Sequence, residues 1–238
     1  MRNRKKIFVL IAGAFLSMKS KKGLFVVSVL LPFFLLNCVQ TPVRTEPLPG
    51  DPIAHFPKMV VGDRWVEKGY SSKYNSDLFY SKVIEVYPDG GFMLESTEKR
   101  DKTVYHERYN NKYQLTERTD ITAGEKQPVN DPPSKRLDFP LFVGKTWADT
   151  YHGESVDGGS YTYKNYYQVV GFEKVRIEAG VFDAFKIYRD HRIMTSSDSF
   201  TETYWYSPLV KSNVKSDPSW RIGYEVIEYN ITDTASSK

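Results

Sequence analysis

The stretch LFYSKVIEVY-PDGG-FMLESTE, residues 78–98, carries the pattern that decides the fold: two runs of β-branched and aromatic residues, interrupted once at Pro88-Asp89-Gly90-Gly91. Gly, Asn and Asp tolerate the positive φ angles of a tight connection between twisted strands, so the stretch reads as an antiparallel hairpin. Asn110-Asn111 plays the same part between residues 103–109 and 112–119, and Glu178-Ala179-Gly180 turns a long run at 161–172 into another at 181–188. Further runs occupy 200–206, 210–215 and 224–231. Within 181–188, Phe185 and Ile187 share one face and Lys186 takes the other, as a half-buried strand requires. No convincing amphipathic helix interrupts this series, and residues 120–136, with Pro128, Pro132 and Pro133, read as a long connection. The expected fold class is all-β and mainly antiparallel: a curved sheet, an open barrel or a sandwich.

Two stretches begin alike. Phe56-Pro57 leads to Val61-Gly62-Asp63-Arg64-Trp65, and Phe139-Pro140 leads to Val143-Gly144-Lys145-Thr146-Trp147. The β-rich part, 56–232, therefore divides into two similar halves, 56–136 and 137–232, with duplication as one origin; residues 233–238 read as a disordered tail. Trp65 and Trp147 are expected to plug the core.

Residues 1–37 are of another kind. They hold seven Lys or Arg and no acid, with apolar runs at 7–16 and 24–36, each behind a basic cluster. This is the composition of an export signal. Met18 opens a compact unit of Lys19, Lys21 and Lys22, then the second apolar run, then Leu35-Leu36-Asn37-Cys38, which makes Met18 a candidate start. The run at 24–36 is short of the roughly 20 apolar residues of a membrane span and contains Pro32. A two-helix hairpin is the minor alternative. Cys38 is the one cysteine of the chain. It cannot close an intramolecular disulfide, and its place after the apolar run suits acylation. The site resembles bacterial lipoprotein signals, in the relaxed form of the spirochaete lipobox, with Leu36 and Asn37 where small residues are usual. The resemblance implies removal of residues 1–37 and lipidation of Cys38. Outer-membrane placement is favoured over inner, since Val39 and Gln40 supply no acidic retention signal. Residues 38–55 then form a lipidated, Pro-rich tether, whose 17 residues after the cysteine would reach about 60 Å fully extended. The leader takes seven of the 33 basic residues and none of the 29 acidic ones, so the remainder carries about three net negative charges. No basic stripe recommends nucleic acid.

Residues 137–229 resemble an uncharacterised family of β-rich bacterial envelope proteins. The likeness rests on Val143-Gly144-Lys145-Thr146-Trp147, on Ala179-Gly180-Val181-Phe182-Asp183-Ala184-Phe185-Lys186-Ile187, and on Tyr204-Trp205-Tyr206-Ser207-Pro208, although Leu209-Val210-Lys211 replaces the usual Gly-rich turn. It implies architecture and no agreed activity. More distantly it is similar to the open half-barrels that carry lipids or lipoproteins across the periplasm.

The chemistry-bearing residues form no catalytic pattern. His55, His106, His152 and His191 are too dispersed for a local metal motif and read as surface histidines. No Gly-x-Ser-x-Gly elbow occurs, and Gly158-Gly159-Ser160 reads as a turn. Asp89-Gly90-Gly91 and Asp157-Gly158-Gly159 read as turns in preference to ion sites. Glu95, Glu98 and Glu107 read as a solvated face. The expectation is a protein without enzymatic activity, metal or cofactor. All 17 tyrosines follow Cys38. Tyr161, Tyr163 and Tyr167 share one strand face, and Tyr204 and Tyr206 another; these five are candidates to face a ligand, against the alternative of ordinary cross-strand aromatic pairs. The expected function is a lipid-anchored binding or structural module of the envelope, whose partner is an envelope protein, a host molecule or a lipid. A lipid or lipoprotein carrier is the alternative, and an enzyme acting on cell wall or polysaccharide stands further off.

Overall fold

The computed structural model describes residues 42–70, 77–154, 159–219 and 223–232; the leader, Cys38, Asp157-Gly158 and the tail at 233–238 lie outside them. Twelve strands follow in chain order: β1 (Arg64–Tyr70), β2 (Leu78–Val86), β3 (Phe92–Glu98), β4 (Val104–Tyr109), β5 (Leu115–Asp120), β6 (Glu125–Gln127), β7 (Thr146–Glu154), β8 (Ser160–Ile177), β9 (Gly180–Ile193), β10 (Ser199–Ser207), β11 (Ser212–Pro218) and β12 (Gly223–Asn230). All belong to one antiparallel sheet, in the order β6-β5-β4-β3-β2-β1-β12-β11-β10-β9-β8-β7. It is curved and does not close into a barrel.

The hairpin turns read at 88–91, 110–111 and 178–180 join neighbours in this sheet. Pro88–Gly91 links β2 to β3, Asn110-Asn111 lies between β4 and β5, and Ala179 lies in the connection from β8 to β9. Phe185 and Ile187 are buried and Lys186 is not. Three strands go beyond that reading: β1 and β7, which begin inside the repeated Val-Gly-x-x-Trp segments, and the short β6, which pairs with β5 inside the stretch read as a plain connection.

The halves supply six strands each, and the pairing of β1 with β12 makes them one sheet. The first half runs from the centre to an edge and the second from the opposite edge to the centre. Their repeated segments nevertheless make the same local structure. Gly62 and Gly144 have φ of 100° and 93°, a region that glycine enters without steric cost. Gly62 N–H donates to Val83 O and Val83 N–H to Asp63 O, at 2.9 and 2.8 Å; Gly144 N–H donates to Val169 O and Val169 N–H to Lys145 O, at 2.8 and 2.9 Å. Both valines sit at a register shift, so each turn docks on a bulge of the next strand. Both indoles then donate to a distant carbonyl: Trp65 Nε1 to Val210 O and Trp147 Nε1 to Lys135 O, each at 2.7 Å.

The tether expectation needs correction. Residues 42–55 form neither helix nor strand, in keeping with their prolines, and they bend at Thr45-Glu46 and turn at Pro49-Gly50, but they do not run free. Arg44 N–H donates to Gly144 O at 2.8 Å, and Ala54 and Leu141 exchange backbone hydrogen bonds at 3.0 and 2.8 Å. Arg44 is paired with Asp51 at 2.7 Å, Asp51 also accepts from Leu48 N–H, and Ala54 is buried. Backbone pairing with the second half's Phe-Pro-to-Val-Gly segment outweighs the free-coil expectation from composition. A methyl group at Gly144 would lie 2.4 Å from Pro42 O. Gly144→Ala is therefore expected to loosen residues 42–44, seen as new proteolytic cleavage near Arg44 while the sheet stays folded.

Candidate functional site

Alternation along β1 places Trp65 and Glu67 on the inner face of the sheet. Cross-strand pairing carries that face outward: Trp65 opposes Ser81, and Leu94 opposes Glu107, which opposes Arg118. The chain after β6 returns over these residues through Asn130, Ser134, Arg136 and Leu137, and β12 adds Tyr224. Sheet and crossing segment enclose a cavity of about 470 Å³, within the roughly 300–1,000 Å³ of small-molecule pockets.

The charges in its wall are not equivalent. Glu107 is held by Ser96 Oγ, which donates at 3.1 Å, and by Arg118 at 3.4 Å; the Arg118 guanidinium also stacks on the Tyr105 ring. Arg136 Nη2 donates to Glu202 at 3.0 Å. Glu67 differs. Among the described residues its carboxylate has neither a hydrogen-bond donor nor an ion-pair partner. Burial pushes its pKa up to about 7, with the like charge of Glu107 adding to the rise and Arg136 opposing it. Asn213 Oδ1, buried in the same wall, also lacks a donor. The aromatic walls are Trp65, Tyr109, Tyr113 and Tyr224, and burial holds the Tyr109 and Tyr113 hydroxyls protonated. Tyr113 OH donates to Lys211 O at 3.1 Å, fixing the turn after β4 against the turn before β11.

No protein-family model and no curated protein matches this sequence. Three solved structures align over most of their own length. A candidate lipoprotein of Parabacteroides distasonis aligns at 17% identity over 74% of this chain and 98% of its own, with a TM-score of 0.43. A candidate exported protein with a YmcC-like fold from Bacteroides fragilis aligns at 12% over 74% and 99%, with a TM-score of 0.41. The hypothetical lipoprotein YmcC of Escherichia coli aligns at 8% over 76% and 92%, with a TM-score of 0.43. No reading of the cavity rests on these likenesses.

Behind Arg136 lies a buried polar network on the inner face of the second half. Glu202, with 0% exposure, accepts from Arg136, from Arg189 Nη1 at 3.1 Å and from Ser216 Oγ at 2.8 Å. Arg189 Nε donates to Asn165 Oδ1 at 3.0 Å, and Asn165 Nδ2 donates to Asp149 Oδ1 at 2.5 Å. His191 Nδ1 lies 2.7 Å from Asn165 Oδ1. Burial, with the Arg189 charge adding to it, pushes the His191 pKa down to about 4, so it is neutral at pH 7. This histidine corrects the surface reading; His55 and His152 are exposed and His106 half-buried, 3.4 Å from Glu95.

The five tyrosines singled out from the sequence do share the inner face, but they do not form one open groove. Tyr204 and Tyr206 are fully buried, Tyr204 OH donating to Arg136 O at 2.5 Å, and Tyr167 is covered by the stacked Trp147 ring. They belong to the core. Tyr161 and Tyr163 are half-buried, and Tyr163 stacks on His191. Of the charged residues that build the cavity, Glu67, Glu107, Arg118 and Arg136, the sequence reading includes Glu107 alone, as part of a solvated face. Glu107 was read as solvated because charge alternating along a strand usually is.

Proposed function

We propose that this chain is a lipid-anchored envelope protein, without enzymatic activity of its own, that binds a small ligand in the inner-face cavity. The observation that supports binding is the Glu67 carboxyl, half-buried in the wall of an aromatic-lined cavity and without a hydrogen-bond or ion-pair partner among the described residues, an arrangement that a ligand of opposite charge would complete. The support for anchoring is the leader and Cys38. Given that anchor, the docking of residues 42–55 leaves only Val39, Gln40 and Thr41 between the acylated residue and the ordered domain, a reach of about 14 Å at ~3.3–3.6 Å per residue.

The carrier alternative is weaker here, since an acyl chain finds two glutamates and two arginines in the wall. One observation favours the enzymatic alternative: Glu67, half-protonated near neutrality, shares a cavity with Glu107, the pairing that acid–base chemistry on a glycan uses. Glu107 is engaged by Ser96 and Arg118, which favours binding. The test of the anchor is Cys38→Ser, expected to abolish palmitate incorporation and move the protein from the detergent phase to the aqueous phase. Unchanged labelling would refute it. Release of reducing ends from cell-wall fragments by the wild type and not by Glu67→Gln would refute the non-enzymatic reading.

A further inference from the structure

We propose that the cavity receives an organic cation, a primary ammonium or guanidinium group on a small molecule, with Glu67 as its counter-charge and the surrounding aromatic rings as its walls. The inference rests on the binding reading above and adds the chemical class of the ligand.

The wall decides the sign. Its guanidiniums each already face a carboxylate, Arg118 that of Glu107 at 3.4 Å and Arg136 that of Glu202 at 3.0 Å, so an anion would compete with a fixed carboxylate for either and would face Glu67. Two acceptors of the wall lack a donor among the described residues, the Glu67 carboxylate and Asn213 Oδ1, while Arg118 Nε, which has no hydrogen-bond acceptor, still faces Glu107 at 3.4 Å; an ammonium or guanidinium offers N–H donors and no acceptor. Trp65, Tyr109, Tyr113 and Tyr224 add ring faces, which attract cations most strongly where water is excluded. A neutral ligand would satisfy the rings and leave the carboxylate stranded.

A pH dependence follows. Glu67 faces Glu107 and Tyr109 from β4, Arg118 from β5, Tyr113 from the turn between them, Tyr224 from β12 and Arg136 from the crossing segment; Ser81, Leu94, Ser212 and Asn213, from β2, β3 and β11, bring no titratable group. Burial holds the Tyr109 and Tyr113 hydroxyls protonated and Glu202 holds Arg136 charged, whereas burial brings the Glu67 carboxyl into the neutral range, so Glu67 is the group that changes. A cation selects its ionised form. With a pKa of about 7, affinity rises about tenfold from pH 6 to pH 8 and then levels off.

The experiment is a calorimetric titration of the full chain in detergent with Nα-acetyl-lysine amide, its neutral isostere Nα-acetyl-norleucine amide and the anionic Nα-acetyl-glutamate amide. Only the lysine derivative is expected to bind, about tenfold more tightly at pH 8 than at pH 6. Glu67→Gln, whose folding is verified by its thermal transition, is expected to weaken binding at least tenfold and to remove the pH dependence. Equal binding of the neutral amide overturns the cation and leaves a binding cavity standing. Binding by none of the three, or an unaltered Glu67→Gln, overturns the site. Cys38→Ser chain is titrated in parallel and should bind as the wild type does, so a failure of anchoring reads separately from a failure of recognition.

Discussion

Glu202→Gln is expected to lower the unfolding free energy by about 3–5 kcal/mol, a large share of the roughly 5–15 kcal/mol that holds a domain of ordinary stability folded. Glu202 is fully buried and is the shared acceptor for Arg136, Arg189 and Ser216. The amide keeps shape and volume, so packing is not what is lost. It removes the charge that compensates two guanidiniums, and it offers N–H donors to other donors. Arg189 is itself buried and keeps Asn165 and Tyr151 as neutral partners, which cannot replace an opposite charge. The size of the effect separates this cluster from an exposed pair such as Arg64 with Glu228, 3.4 Å apart, where Glu228→Gln should change stability by less than about 1 kcal/mol. Urea unfolding of both variants provides the measurement. A loss below about 1 kcal/mol for Glu202→Gln would mean that water reaches the guanidiniums and that the network does not hold the crossing segment in place. Arg136 is its link to the cavity, so the variant should also weaken ligand binding under conditions where it remains folded.

Both the fold and its site were written in strand alternation, but only the apolar half of that pattern is easily read. Turn chemistry at Pro88–Gly91, Asn110-Asn111 and Glu178–Gly180 located the hairpins because the backbone there requires residues of a special kind. β6, with Glu125, Lys126 and Gln127, has no apolar face and so no signal. Trp65 was recognised as core; Glu67 lies two residues on and therefore on the same face. Arg189 follows Ile187, and Glu202 precedes Tyr204, by the same step. A charged residue in register with core aromatics is the sign of a buried polar site, and here it competes with the commoner meaning of charge on a strand. Arg136 had no such sign. It lies outside the strands, and its place depends on the path of residues 128–145 across the inner face, which only the tertiary structure fixes. The docking of residues 42–55 is similar: prolines exclude a helix there, but the partner at 141–145 is nearly a hundred residues away, with no pattern to announce it.

Glu67→Gln is expected to make the protein more stable at pH 8 by about 3 kcal/mol and, at the same time, more sensitive to acid. The folded state raises the Glu67 pKa from 4.5 to about 7. Between those values it binds the proton more tightly than the unfolded chain does, so its contribution to stability is present at low pH and is lost as pH rises to 7, at about 1.4 kcal/mol per unit. His191 acts in the opposite sense. Its pKa falls from 6.5 to about 4 on folding, so stability is intact above pH 6.5 and is lost as pH drops toward 4, with a similar slope. The two slopes oppose each other across pH 4.5–6.5 and nearly cancel in the wild type. The amide removes one of them. Urea midpoints at pH 8, 6.5 and 4.5 should then show a variant well above the wild type at pH 8 and losing that advantage as the pH falls, with the acid-side decline due to His191 exposed. A variant with the wild-type midpoint at pH 8 would mean that the Glu67 carboxyl is solvated in the empty cavity, and with that the electrostatic reason for a cationic ligand would go. The same substitution thus measures what the unpaired carboxyl costs the empty fold, and the titration with the lysine derivative measures what a cation returns to it.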